Sequence, residues 1–553
     1  MSPVTNDHQT GLLAQAQRIA DDFNFGPADV QRVTGHFVRQ MRDGLVNHRA
    51  WQLPSFLRSV PTGAEKGTFL AVDLGGSNCR ICLVDLLGDS TFTVAQSKHR
   101  VPPEVMVCQS YKPLFEFIAG KIADFLAEKS TADTKDYDDI RERRTAPYRL
   151  GFTFSFTCEQ TSLASGTLIR WDKGWDIPEA VGRDPCVMLQ EAIDKLKLPV
   201  LVTVLANDSV GTLLTRSYTA GQKDSTLAAV IFGTGTNAAY VEKMTNVKRL
   251  GATNTIAGQI MVINTEWGCL DDKMEVLPRT VYDDQLDGES IDPGSQMFEK
   301  RISGMYLGEL LRLVLVQLQQ GGAFDMGFDD ESPIFESQGI DSSFLSDLAL
   351  AGSEEYSRSS ALIERKLSVK GVTVADVKAI QILSAAIVRR AARLAGASLA
   401  AIIIQSGRLE PSLAELKYPD TQVTERETSE TANSPISSVQ RLRQKLNSLW
   451  RRIIKLFARL NGSSSPSGGM LPQYSKHEES IPETSIIDIG ADGSLFELYP
   501  TFESDMRGAL LEVQEIGPAG EKLVRIGLAK DGSGVGAALM AQAALEMEKR
   551  GEQ

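Results

Sequence analysis

The clearest pattern along the chain is an apolar run that ends in a short turn rich in Gly, Ser, Thr or Asn. It occurs over residues 68–82 and again over 227–241, with Gly76 and Gly235 lying 159 positions apart, and a weaker copy spans 486–495. Short apolar runs bounded by turn residues are typical of strands, so each copy predicts a strand, a turn and a returning strand. Two similar halves that face each other predict a two-lobed α/β protein with a cleft between the lobes.

In other segments, the apolar residues recur at the spacing of a helix, form the continuous run of a buried strand, or show neither pattern. Apolar residues at helical spacing predict a helix over 28–46, and Val200 to Ala206 predicts a buried strand that leads into a helix. Residues 411–482 depart from globular composition and include a basic amphipathic helix at 441–460. One interpretation is that this helix contacts a membrane surface or a partner protein. The other is that it docks on its own domain or belongs to a disordered insert, and we favour this second interpretation.

Composition narrows the class of protein. The chain of 553 residues is 42% apolar and 23% charged, which is ordinary for a globular protein. Its 58 basic and 71 acidic side chains give a net charge of −13, which argues against a nucleic-acid binder. No apolar run approaches the ~20 residues of a transmembrane segment, and the polar start shows no signal peptide. Six cysteines do not make a disulfide scaffold, so we expect a reducing, cytoplasmic location.

Histidine and cysteine limit the chemistry that the chain can perform. The five histidines lie outside the motifs discussed here, so neither a Ser–His–Asp triad nor a His-rich metal site is predicted. Cys79 and Cys82 form a CxxC pair on a predicted strand, where positions three apart face opposite sides. This spacing argues against a zinc or redox pair. We therefore expect a catalytic base to be a carboxylate.

Asp208 is the candidate base, because it follows a buried strand at the rim where the sites of α/β proteins collect. Asn207-Asp208-Ser209 is also a good sequence for the N-cap of a helix. The roles of cap and base both stay open, and different residues can fill them.

The glycine turns are suited to phosphate, because glycine lets the backbone approach an anion and small neighbours leave N–H groups exposed. They match neither a P-loop nor the dinucleotide-binding glycine motif, since a strand follows each turn. One such turn alone is also an ordinary hairpin, but its repetition favours a nucleotide cleft. Asp73, at the end of the first strand, fits a carboxylate that orients hydrated Mg²⁺, and it also fits a residue that begins a turn.

A family resemblance rests on long, ordered segments spread over the chain outside 411–482. They are Leu70–Asn78, Leu150–Phe156, Gly166–Trp171, Asn207–Leu213, Phe232–Asn237, Asn264–Gly268, Met297–Arg301, Ser303–Glu309 and Asp531–Ala537. In these segments the chain resembles the eukaryotic hexokinases, and most closely the fungal glucokinases. The resemblance implies the actin-like ATPase (ribonuclease H-like) fold, with two lobes that close on a hexose and Mg-ATP. It also implies transfer of the γ-phosphoryl group to the 6-hydroxyl of glucose.

The resemblance implies roles for individual residues. Asp208 would take the proton from the 6-hydroxyl as the phosphoryl group transfers, and Lys173 would hold the sugar and offset charge. The implied sugar-binding residues are Ser155, Asp172, Lys173, Asn207, Asp208, Asn237, Glu266 and Glu299. The implied nucleotide-binding residues are Asp73, Gly75, Gly76, Ser77, Asn78, Arg80, Lys98, Thr234, Gly235, Asp492, Gly493 and Ser533. Asp73 and Asp208 would meet Mg²⁺ through water. Taken singly, Lys173 also fits a loop, Glu299 a solvated helix face and Asn237 a turn.

The resemblance also divides the chain into domains. Residues 1–65 would begin the large domain, 66–210 would form the small domain, 211–530 would complete the large domain, and 531–553 would return to the small domain. The insertion at 411–482 would enter the large domain near the nucleotide.

The chain also departs from the family pattern. The usual Trp-Thr-Lys-Gly-Phe reads Trp171-Asp172-Lys173-Gly174-Trp175, and the usual proline after Phe156 is Thr157. Asp172 adds negative charge near Asp208 and the incoming phosphate, and Thr157 loosens a loop that proline would stiffen. These changes support an alternative function, a sugar sensor or regulatory protein with weak or no catalysis, although we favour the kinase.

Overall fold

The fold is that of a computed structural model, which describes residues 4–132, 147–171, 174–221, 226–251, 258–352, 356–409 and 486–551. In chain order, its strands are β1 Leu53–Pro54, β2 Lys66–Leu74, β3 Asn78–Leu87, β4 Phe92–Arg100, β5 Tyr148–Phe154, β6 Thr157–Ser162, β7 Ser165–Arg170, β8 Val200–Ala206, β9 Thr226–Phe232, β10 Thr236–Lys243, β11 Ile260–Asn264, β12 Gly327–Phe328, β13 Val369–Lys370, β14 Ile487–Asp492 and β15 Val524–Leu528.

The helices alternate with these strands. In chain order, they are α1 Val4–Asp22, α2 Pro27–Val46, α3 Pro103–Met106, α4 Lys112–Ala132, α5 Pro185–Lys195, α6 Asp208–Ala220, α7 Val281–Glu289, α8 Glu299–Ile302, α9 Gly304–Gln320, α10 Ser342–Ala351, α11 Tyr356–Leu367, α12 Val374–Ser406, α13 Ser494–Leu498, α14 Phe502–Glu512, α15 Gly517–Glu521 and α16 Gly532–Arg550. The predicted helix at 28–46 is confirmed as α2, and the predicted strand at 200–206 is confirmed as β8.

Two sheets with the same pattern form the centre of the fold. The first sheet has the order β4-β3-β2-β5-β8, and the second has the order β1-β11-β10-β9-β14-β15. In each sheet an antiparallel unit of three strands, β2 to β4 or β9 to β11, is followed by two parallel strands. The sequence repeat is therefore confirmed as a repeat of strand order, and so is the α/β architecture with two similar halves.

The third copy of the sequence pattern has a different role from the other two. Its apolar run forms β14, which lies parallel to β9 and corresponds in strand order to β5. After Asp492 the chain enters helix α13 at Ser494. The expected returning strand was therefore wrong, because Leu495 packs as a buried helical residue.

Helix α16 returns from the end of the chain to the first sheet. It packs against β2, β5 and β8 and against helix α6. Its Val535 and Ala537 share a buried cluster with Cys82 of β3, whereas Cys79 lies in the cluster on the opposite face. The predicted opposite orientation of the two cysteines is confirmed. The contact between the helices is close, since a Cβ on Gly536 would lie 2.1 Å from the Cα of Gly211.

Several expectations lie outside the described residues. They are the insertion 411–482 with its basic helix at 441–460, and the site residues Asp172 and Lys173. These stay predictions, as do the domain boundaries, of which the one after residue 210 falls inside α6. Among the helices that the structure describes, none has both the length and the apolar character needed to cross a membrane.

Candidate active site

The first glycine turn joins β2 to β3. The N–H of Gly75 donates to the carbonyl of Asn78 at 3.0 Å, which closes the turn. The carbonyl of Gly76 accepts from the indole N–H of Trp175 at 2.7 Å. The carbonyl of Ser77 accepts from the N–H of Val101 at 3.0 Å. Because a peptide unit is planar, with its N–H opposite its C=O, the bonds to the carbonyls of Gly76 and Ser77 also fix the directions of the N–H groups of Ser77 and Asn78.

The second glycine turn joins β9 to β10 and is held in a similar way. The N–H of Gly233 donates to the carbonyl of Gly235 at 3.0 Å. The first residues of α9 also contact this turn. The backbone N–H of Gly304 donates to the carbonyl of Gly233 at 2.8 Å, and that of Met305 donates to the carbonyl of Thr234 at 3.0 Å. Because the carbonyls of Gly233 and Thr234 face α9, the N–H groups of Thr234 and Gly235 on the same peptide units point away from that helix.

Glu299 lies directly against the second turn. Its Oε1 accepts from the backbone N–H of Thr236 at 3.1 Å. There is no room for a side chain between them, because a Cβ on Gly235 would lie 2.6 Å from the same oxygen. The predicted sugar residue Glu299 and the predicted phosphate residue Gly235 are therefore neighbours.

A network of amides and a carboxylate lies at the ends of β10 and β11. Asn264 donates from Nδ2 to Glu266 Oε1 at 2.8 Å and accepts at Oδ1 from Asn237 Nδ2 at 2.9 Å. Asn237 Nδ2 also lies 3.3 Å from Glu266 Oε1. Glu266 has a positive φ of 46°, a conformation rare for a residue with a side chain and often found at functional sites. This network brings together two predicted sugar-binding residues.

The structure separates the two roles considered for the start of α6. Asn207 is the N-cap, and its Oδ1 accepts from the N–H groups of Ser209 at 3.0 Å and Val210 at 3.4 Å. Capping uses this oxygen, so the sugar contact expected of Asn207 would use its Nδ2 group. Asp208 is the first helical residue and is half-buried, and its Oδ1 accepts from the N–H of Ser209 at 2.7 Å.

Helix α16 connects Asp208's helix to the first turn. Ser533 donates to Asp73 Oδ2 at 2.8 Å, and its carbonyl accepts from Thr153 of β5 at 2.9 Å. The preceding residue, Gly532, approaches α6 so closely that a Cβ there would lie 2.3 Å from Thr212 Oγ1. Ser533 was predicted as a nucleotide contact, and here it also fixes the carboxylate expected to orient Mg²⁺.

Asp492 and Gly493 bring the end of β14 to the second turn. Gly493 has φ +105°, and a Cβ on it would lie 2.3 Å from the carbonyl carbon of Phe232. Burial raises the pKa of Asp492, and the carboxylates of Asp531, Glu497 and Asp208 add to the rise. Asp208, the candidate base, is thus one of the carboxylates whose charge acts on Asp492.

Arg80 and Lys98 lie on neighbouring strands of the first sheet. They are paired across β3 and β4. Arg80 is half-buried with Nη1 3.6 Å from Asp531 Oδ1, whereas Lys98 is exposed. Ser155, the remaining predicted sugar residue, donates its backbone N–H to the carbonyl of Leu74 at 3.2 Å, beside the first turn.

A cavity of about 520 Å³ opens beside these groups. Its wall includes Asn207, Asn264 and Glu266, with Phe154 and Thr157 from the first sheet's side. This size lies within the roughly 300–1,000 Å³ of typical ligand sites. Residues from both sheets therefore line one cavity of the size of a ligand site.

Sequence reasoning missed two residues of this site. Asn264 was noted only as part of a motif, and Trp175 only as a departure from the family pattern. Asn264 lies at the end of a strand and two residues before Glu266. This position was the signal in the sequence that could have identified it as a site residue.

Comparison with known proteins identifies the family. A family model described as Hexokinase matches residues 15–218, and a second, also described as Hexokinase, matches residues 227–543. The glucokinase of Aspergillus niger is 39% identical over 562 positions, which cover 98% of this chain and 99% of that protein. The chain belongs to the hexokinase family. The predicted resemblance is therefore confirmed.

Other relatives of this hexokinase family member agree. Glucokinase-1 of Saccharomyces cerevisiae is 32% identical over 572 positions, covering 96% of this chain and 97% of that protein. A solved structure, a hexokinase from Schistosoma mansoni complexed with glucose, matches with a TM-score of 0.70 at 27% identity, covering 97% and 99% of the two chains. The expected actin-like ATPase fold is confirmed.

Proposed function

We propose that this member of the hexokinase family transfers the γ-phosphoryl group of ATP to the 6-hydroxyl of glucose, with Asp208 as the general base. The observation that carries the proposal is the position of Asp208. It follows Asn207 of the cavity wall, it influences Asp492 near the second turn, and its helix contacts α16, which holds Asp73 beside the first turn.

The residues divide the work of the reaction. Glu266 and Glu299 suit the sugar because ionised carboxylates accept well from hydroxyl groups. The N–H groups of the two glycine turns suit the phosphate oxygens. Asp208 accepts the hydroxyl proton late, because the transition state of phosphoryl transfer is loose and the alcohol is weakly acidic.

Mg²⁺ fits the carboxylates that the site offers. Among the described residues, no three His, Cys, Asp or Glu side chains cluster as a complete metal site. Mg²⁺ usually binds through one or two carboxylates together with waters and substrate phosphates, and Asp73 and Asp208 are the residues that would hold it through water. When bound, the ion would offset phosphate charge.

One coupled assay tests the proposal. We expect ADP release that depends on glucose, and a kcat lower by about 10²–10⁴-fold in Asp208→Asn. This variant keeps an oxygen for the N–H of Ser209, so the start of α6 is preserved. Glucose binding without turnover by the wild-type protein would instead favour the sugar sensor. A gain of turnover in Asp172→Thr would then assign the loss to Asp172.

The cysteines support the proposed cytoplasmic location. All six are free thiols, and burial raises the pKa of both Cys79 and Cys82 to about 12. A fold with six free thiols, three of them buried (Cys79, Cys82 and Cys186), is suited to a reducing compartment.

A further inference from the structure

Trp175 makes a side-chain hydrogen bond to the first glycine turn. Its indole N–H donates to the carbonyl of Gly76 at 2.7 Å. The ring is only 5% exposed, and it is held by Phe156, with ring centres 5.0 Å apart, and by Trp171, which stacks on it at 5.5 Å and 15°. Packing therefore fixes the direction in which this N–H points.

The acceptor belongs to a peptide of the first turn that directly follows a glycine. Gly76 has no Cβ, so its backbone can adopt many conformations and the peptide that follows it can rotate. A hydrogen bond to the Gly76 carbonyl selects one orientation. Because the peptide is planar, it also orients the N–H of Ser77, on the opposite edge.

Trp175 also lies close in the sequence to a proposed sugar-binding residue. Trp175 ends the short segment that begins at Trp171 and contains Lys173, one of the proposed sugar-binding residues. Trp171 is anchored elsewhere, since its indole N–H donates to the carbonyl of Ile177 at 2.9 Å. Of these two stacked rings, it is Trp175 whose N–H reaches the first turn.

We propose that Trp175 is a positioning residue for the nucleotide, which holds the Gly76–Ser77 peptide with its N–H toward the phosphates of ATP. It acts through the turn and does not itself touch the reacting atoms. The inference rests on the proposed function, because it assigns the first turn to ATP.

The variant Trp175→Phe tests this role, because it keeps an aromatic ring and removes the N–H. We expect the KM for ATP, and the Kd for AMP-PNP with Mg²⁺ measured by calorimetry, to rise about fivefold to tenfold, the usual effect of one lost hydrogen bond. We expect the Kd for glucose to stay within twofold. The matched control is Trp171→Phe, which removes the other stacked N–H and should leave the Kd for AMP-PNP unchanged.

Two results would overturn the role of Trp175. One is an unchanged Kd for AMP-PNP in Trp175→Phe, and the other is an equal loss of glucose and AMP-PNP binding, which would indicate a purely structural role. Absence of glucose turnover in the wild-type protein would instead contradict the proposed function, while AMP-PNP binding would still decide the role of Trp175. A wild-type protein that does not bind AMP-PNP would overturn both.

A measurement on the wild-type protein does not depend on how well a variant folds. We expect saturating AMP-PNP with Mg²⁺ to slow hydrogen exchange in segment 74–78 and in segment 174–177 together, because the indole bond joins them. Protection of 74–78 without any change in 174–177 would contradict the proposal.

Discussion

The two glycine turns end corresponding strands of two sheets with the same strand order, yet they are supported differently. In the second turn, the carbonyls of Gly233 and Thr234 accept from backbone N–H groups at the start of α9. In the first turn, the carbonyl of Gly76 accepts from a side chain, the indole of Trp175. Support from backbone donors depends little on side-chain identity, whereas support from a tryptophan is removed by one substitution.

The difference indicates that the first turn is easier to alter by a substitution than the second turn. The second turn is built against a helix and against Glu299, so the residues proposed to bind phosphate and sugar belong to one packed unit. The first turn is joined through Trp175 to the segment that contains the proposed sugar residue Lys173. We therefore expect changes near the second turn to alter sugar affinity strongly, and changes at Trp175 to alter mainly the nucleotide.

Among substitutions that compare the two turns, the largest effect is expected from Asn264→Asp, which disrupts the network beside the second turn. It replaces the Nδ2 donor, 2.8 Å from Glu266 Oε1, with a carboxylate oxygen. Two like charges at this distance repel, so the KM for glucose should rise about 30-fold, with partial recovery at lower pH as the pair takes up a proton. Steady-state kinetics against pH measure both.

The control for this prediction is Asn264→Ala, which removes the donor without adding a charge. Its KM for glucose should rise about fivefold to tenfold, with no recovery at low pH. Equal effects of the two substitutions would rule out the charge argument.

A moderate effect is expected from Gly235→Ala. The new Cβ would lie 2.6 Å from Glu299 Oε1, the end of a flexible side chain, so the carboxylate moves and the fold survives. We expect the KM for glucose to rise about tenfold with little change in Tm. The matched substitution in the first turn is Gly75→Ala, where the nearest atom is 3.9 Å from the Cβ position. A similar rise in glucose KM for Gly75→Ala would remove the proposed difference between the turns.

The smallest effect is expected from Asp492→Asn, at the end of β14. At the strand ends beside the two turns, β5 pairs Phe154 with Leu74, whereas β14 pairs Asp492 with Ile231. Burial raises the pKa of Asp492, so its ionised form destabilises the fold above that pKa and costs nothing below the unfolded value near 3.9. Asp492→Asn should therefore have a higher Tm than the wild type at pH 7, and the two should converge toward pH 4.

Asp488 on the same strand provides the opposite control. Although its burial opposes ionisation, hydrogen bonds and charges from Arg216 and Arg525 lower its pKa. Asp488→Asn should therefore lose stability at pH 7, and this loss should shrink as the pH falls. A lower Tm at pH 7 for Asp492→Asn as well would contradict the assigned cost of its charge.

The sequence predicted the elements whose signals are local. Short-range patterns within one segment predicted each copy of the repeat, the helix at 28–46 and the strand before Asp208. The weaker copy at 486–495 was misassigned after Asp492, because Leu495 and its neighbours fit a helix as well as a strand. The family motifs grouped the candidate site residues, although their roles stay predictions.

The remaining features depend on contacts between distant parts of the chain. Trp175 meets Gly76 across 99 positions, and Asn264 meets Asn237 across 27. No period or turn signal encodes such a partner. The choice between Asn207 and Asp208 as the cap likewise depended on which oxygen faces the first N–H groups of α6.

The return of α16 to the first sheet has a consequence for biosynthesis. The strands of that sheet leave the ribosome early, but Val535 and Ala537, which cover Cys82 and Ala71, are translated last. At ~5–20 residues per second, the stretch from β8 to α16 takes on the order of tens of seconds to translate. We therefore expect this apolar face of the nascent chain to stay uncovered until α16 has been translated.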